Sequence, residues 1–124
     1  MKPFCTTLFL LAVACATAHA QTAGEMLRSC EILQRNVHIE GSTVFLPPDV
    51  DARQCWGFMA AVQQFSTLAD QSGKPLLNWC APEDTKQSDI VRIFMDYARA
   101  HPDKTNLIAA AVAYNAMADA FPCK

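Results

Sequence analysis

The chain has 124 residues, with ten Lys and Arg against twelve Asp and Glu and a net charge of −2. That length holds one domain with a single modest core. Beyond Lys2 its basic residues are scattered from Arg28 to Lys124, which excludes the clustered cationic surface that a nucleic-acid backbone requires.

Met1-Lys2 leads into an apolar run from Leu8 to Ala14, and Ala18-His19-Ala20 supplies the small-x-small pattern of a signal-peptidase site. The run is far shorter than the roughly 20 residues that cross a bilayer. Residues 1–20 therefore read as a cleaved signal peptide, and the mature chain as a periplasmic protein that starts at Gln21 and is not inserted in the membrane. Lipidation at Cys15 is the competing reading, but Ala12 stands where such a site usually carries leucine. Cleavage removes Cys5 and Cys15 and leaves Cys30, Cys55, Cys80 and Cys123, an even set that in an oxidising compartment reads as two disulfides.

Thr22-Ala-Gly-Glu25 fits a capping box, and Met26, Leu27, Cys30 and Leu33 follow at helical spacing, so a first helix is predicted over about 23–35. From Val37 to Pro48 the pattern breaks. Gly41-Ser42 marks a turn and Pro47-Pro48 cannot continue a helix, which predicts a loop or small hairpin. Asp51-Ala-Arg-Gln54 offers a second cap, after which Cys55, Phe58, Met59, Val62 and Ala69 trace a helix to about Asp70, ended by Gly73 and Pro75. A connector with Trp79 and Cys80 leads to Ser88 as the next cap and a third helix with Ile90, Val91, Phe94, Tyr97 and Ala98 on its face, stopping before Pro102. The last helix is predicted to start between Asp103 and Asn106 and to end at Ala120, with Leu107, Ala111, Tyr114, Ala118 and Phe121 on one side. The expected fold is all-α, a small four-helix bundle stapled by two disulfides.

Four cysteines permit three pairings. The short connection between the third and fourth helices makes them antiparallel neighbours, which brings Cys80, before the third, to Cys123, after the fourth. Cys30 and Cys55 then tie the first helix to the second. The chain-entropy model assigns each bridge roughly 3–4 kcal/mol and ranks the longer Cys80–Cys123 loop above the other.

No catalytic, cofactor or metal site assembles from this sequence, and an enzyme is not expected. A catalytic cysteine needs a free thiolate beside a base, which paired cysteines do not offer. His38-x-Glu40 lacks further ligands at any familiar metal spacing. His101-Pro102 reads as a helix C-terminus, where an imidazolium meets the helix dipole, and Glu83, Asp84 and Asp89 read as charges at a helix start. Trp56, Phe58, Phe65, Trp79 and Phe94 read as core residues. Val44-Phe45-Leu46 differs, because large apolar side chains in a proline-stiffened loop either cover the core or anchor a partner. The connector around Trp79 is the rival candidate for partner contact.

Cys55-Trp56-Gly57-Phe58-Met59, Cys80-Ala81-Pro82, Val91-Arg92-Ile93-Phe94 through His101-Pro102, and Ala120-Phe121-Pro122-Cys123 together resemble the Tai/Rap family of type VI secretion immunity proteins. The resemblance covers nearly all of the chain from Cys30 onward. It departs at Phe58, where family members typically place tyrosine after glycine. It implies a small helical periplasmic protein, often dimeric, that binds a secreted peptidoglycan amidase effector and blocks its active site. The alternative is a non-catalytic periplasmic helper, such as a small chaperone or an envelope binding module.

Overall fold

The computed structural model describes residues 19–124; the expected leader, with Cys5 and Cys15, lies outside the described residues but for its last two positions. Helix α1 spans Ala23–Asn36 and starts as its sequence dictates. The Thr22 hydroxyl accepts from the Glu25 amide, and the Glu25 carboxylate accepts from the Thr22 amide at 2.8 Å, a reciprocal cap of the first turn. The next free amides of that turn, on Ala23 and Gly24, donate to the carbonyls of Leu107 and Thr105.

Strands β1, His38–Glu40, and β2, Thr43–Phe45, follow as an antiparallel hairpin. The fold is therefore mainly helical and not purely all-α. Gly41 sits at φ +59° in the two-residue turn, as the first position of a primed hairpin turn demands and as a residue with a Cβ adopts only under strain. Helix α2 spans Val50–Phe65, with Asp49 and not Asp51 as its cap: the Ala52 amide donates to the Asp49 carboxylate at 3.0 Å. It stops before Asp70 because the Ser66 and Thr67 hydroxyls donate back to the carbonyls of Gln63 and Gln64, which tightens and closes the last turn. Gly73, at φ +82°, belongs instead to a separate turn, closed by the Asp70 carboxylate on the amides of Ser72 and Lys74.

Helix α3 spans Gln87–Ala100, two positions earlier than a Ser88 cap would give, and the Asp89 carboxylate accepts from the Lys86 amide at 3.2 Å. At its other end the His101 ring donates from Nδ1 to the Tyr97 carbonyl at 2.8 Å and stacks on the Tyr97 ring. A single 3-10 turn, Pro102–Lys104, precedes helix α4, Ala109–Ala120. Helix α4 starts later than expected because the turn after Lys104 is held against the chain's Gln21–Gly24 segment: the Thr105 and Leu107 carbonyls accept from Gly24 and Ala23, extended Ile108 bridges Thr22, and the Ala109 amide donates to the Gln21 carbonyl.

One core joins the four helices. Met26, Cys30 and Leu33 of α1 meet Cys55, Met59 and Val62 of α2, Ile90, Phe94 and Met95 of α3, and Val112, Ala116 and Met117 of α4. The buried face of α4 is thus Ala109, Val112, Ala113, Ala116 and Met117, while Leu107 and Tyr114, expected inside, are exposed. Alanine on every side of this helix hides its period. The disulfides are Cys30–Cys55 and Cys80–Cys123, the pairing that helix adjacency selects.

Candidate functional site

The hairpin stands out from the bundle, and neither strand packs extensively on a helix. Its base is held firmly: Pro47-Pro48 ends β2, and the Arg53 side chain on α2 donates to the Pro47 carbonyl at 3.1 Å. Register fixes what each side of the hairpin presents. Ile39 pairs with Val44, and His38 with Phe45, while Glu40 pairs with Thr43. Since side chains alternate along a strand, Ile39 and Val44 share the side that faces Trp56 of α2, with which both line one cavity. His38, Glu40, Thr43 and Phe45 share the other side.

On that outer side the rings of His38 and Phe45 lie 6.2 Å apart, and His38 Nε2 is 2.9 Å from Glu40 Oε1. The two residues of His38-x-Glu40 thus serve each other. Among the described residues no group of three His, Cys, Asp or Glu could hold a metal ion. Phe45 is 50% exposed in a segment whose following residue, Leu46, packs on the core. The two alternatives for this stretch are divided between neighbours: Leu46 covers the core, and Phe45 is left for solvent or a partner. Val44 is half-buried.

Trp79 lies elsewhere. It is 3% exposed, its ring 5.5 Å from that of Tyr114, so it is a core residue with little surface to offer.

Two surface features carried no signal in the sequence. Ile39 is 49% exposed, and with Trp56 and Ser88 it lines both of two adjoining cavities, of about 290 and 560 Å³, between the hairpin and the start of α3. Trp56 is only partly buried, forming part of this groove as well as packing on the core; the Gln87 side-chain amide donates to its carbonyl at 2.6 Å. A second apolar surface joins α2 to α4 through Phe58, Phe65, Leu77 and Tyr114 around a cavity of about 180 Å³. Alternation in β1 could have flagged Ile39, but three residues are too few for a periodic signal.

The family model for Rap1a immunity proteins matches residues 22–123. The chain belongs to the Rap1a immunity protein family. The match runs from the cap of α1 through Cys123, and so takes in the hairpin, the four helices and both disulfides. No curated protein and no solved structure matches the chain. Membership of the Rap1a family makes a toxin the natural partner, and the two disulfides fit an oxidising compartment. Among the described residues no helix is long and apolar enough to cross a membrane.

Proposed function

We propose that this chain is a periplasmic immunity protein that binds a peptidoglycan amidase delivered by type VI secretion and occludes its active site. The observation that carries the proposal is the family match over residues 22–123. The specific target rests on the Tai/Rap resemblance of the Cys55–Met59 and Phe121–Cys123 motifs. An inhibitor of this kind acts by filling space and needs rigid protruding apolar side chains. The hairpin offers one in Phe45, and its pinned base lowers the ordering cost of insertion. A homodimer is the assembly that the same resemblance implies, and the apolar surface at Phe65, Leu76 and Tyr114 is available for it.

The test is titration of the purified chain into an amidase assay with the toxin encoded beside it. Inhibition is expected near a stoichiometric ratio, as a nanomolar dissociation constant, about −12 kcal/mol, requires. Phe45→Ala should weaken inhibition by more than tenfold, about 1.4 kcal/mol, while leaving the melting temperature nearly unchanged. No inhibition at large excess removes the amidase as the target.

A further inference from the structure

The groove between the hairpin and the start of α3 is a second element of recognition, distinct from the outward side that carries Phe45. Its walls are apolar where Ile39, Val44, Val37 and Val91 meet the edge of Trp56, and its rim is polar where α3 begins with Lys86, Gln87 and Ser88. The charges of that rim are unequal in availability. Asp89, the acidic group of the lining, is already engaged, its carboxylate accepting from the Lys86 amide and from the Arg92 guanidinium at 3.0 Å. Glu40 lies on the other side of the hairpin against His38. The exposed Lys86 ammonium, in contrast, makes no ion pair among the described residues. In a chain of net charge −2, the uncommitted charge at this groove is positive.

We propose that this groove receives a short acidic and apolar segment of the partner protein, with one apolar side chain against Trp56 and Ile39 and a neighbouring carboxylate against Lys86. The proposal rests on the immunity reading for the partner's nature and on the groove alone for the segment's chemistry. Apolar walls favour an inserted side chain by the area they remove from water. The free ammonium at the mouth selects an acidic neighbour and opposes a basic one, which is how interfaces gain specificity beyond their apolar contacts. The interface is then reciprocal: Phe45 enters the partner, and the partner enters the groove at Trp56. A second copy of the chain is the other occupant to exclude, since its own hairpin carries Phe45 near Glu40.

The experiment follows the indole N–H resonance of Trp56 and the backbone amides of Lys86 and Val91 in the isotope-labelled chain. Two synthetic capped peptides are added, Asp-Leu-Phe-Asp-Leu and its counterpart with lysine in place of aspartate. The acidic peptide is expected to shift these resonances saturably and the lysine peptide to leave them in place. Lys86→Glu, at an exposed position beside a helix start that tolerates acids, should weaken the acidic peptide at least tenfold without altering the fold. Equal response to both peptides, no saturable shift with either, or a shift of Trp56 produced by raising the protein concentration alone overturns the proposal. The last result assigns the groove to a second copy. Because no toxin is present, failure here leaves the amidase reading to be judged by its own assay.

Discussion

Cys30 and Cys55 have no exposed surface, whereas Cys80 and Cys123 lie at the surface, and this difference decides which bridge matters more to stability. Loop length favours Cys80–Cys123, with a separation of 43 against 25, but the chain-entropy difference between two such loops is only about 0.5 kcal/mol. A serine at position 30 would place a hydroxyl in the core and leave the Cys55 thiol beside it. Burying a polar group without a good partner costs about 1–3 kcal/mol, which exceeds the loop term. Cys30→Ser is therefore expected to melt below Cys123→Ser, the reverse of the order that loop length alone predicts. Urea denaturation of both variants measures it, and a lower midpoint for Cys123→Ser would show that the last helix depends on its bridge more than on its packing. Pairing was legible in the sequence because it depends on helix order. The burial of Cys30 and Cys55 was legible too, since both fall on the apolar stripes of their helices, but the exposure of Cys80 and Cys123 was not, because it depends on how the connector and the end of the last helix lie over the core.

The helices themselves were legible wherever a cap and an apolar stripe coincide. Helix α1 has both, and its start is where the chain's acid sensitivity is expected. The Glu25 carboxyl is held below the usual carboxylate range, first by the Thr22 amide and then by the Thr22 hydroxyl. A carboxyl depressed in the folded state gives stability that is fully present above its unfolded value and is lost as pH falls through the depressed one. Asp70, lowered by the Ser72 hydroxyl and then by the Lys74 and Ser72 amides, acts in the same direction on the connector. Thr22→Ala should lower stability by about 1 kcal/mol at neutral pH and flatten the acid limb of the stability profile only in part, because the backbone amide at position 22, the larger cause of the lowered carboxyl, remains. Guanidinium melts of both proteins from neutral pH into the acid carboxylate range check this; an unchanged acid limb would mean that the Thr22 hydroxyl contributes geometry and no charge effect. Where elements were misplaced, a local bond competed with the helix. Ser66 and Thr67 turn their hydroxyls back and end α2. The segment before α4 gives its carbonyls to α1. Neither competitor has a period that a sequence pattern displays.

At the scale of the molecule, the two bridges secure different parts. Cys30–Cys55 joins α1 to α2, the helices that flank the hairpin in the chain, with Cys55 next in sequence to Trp56 of the groove, while Cys80–Cys123 ties the connector to residues after α4 beside the hydrogen bond from the Cys80 amide to the Phe121 carbonyl. Phe45 was legible as a candidate because two prolines follow it; the groove was not, because it is made by Val37, Ile39, Trp56 and Lys86, residues that only folding brings together. Thiol–disulfide exchange separates the two ends. A dithiol attacks an exposed sulfur in the native state, whereas a sulfur sealed in the core is reached only when the core opens. Dithiothreitol should therefore reduce Cys80–Cys123 first. Val112, Ala116 and Met117 keep α4 in the core and Trp79 remains packed on Tyr114, so the singly reduced species should retain nearly native helical circular dichroism. The helices that flank its hairpin are still joined by the intact Cys30–Cys55 bridge, and it should inhibit the toxin as the oxidised chain does. Alkylation and mass analysis at successive times identify the species, and inhibition is measured on each. Simultaneous reduction of both bridges would mean that the first cleavage already opens the core. Loss of inhibition at the first step, with helicity kept, would move the partner surface from the hairpin to the connector and the chain's last residues.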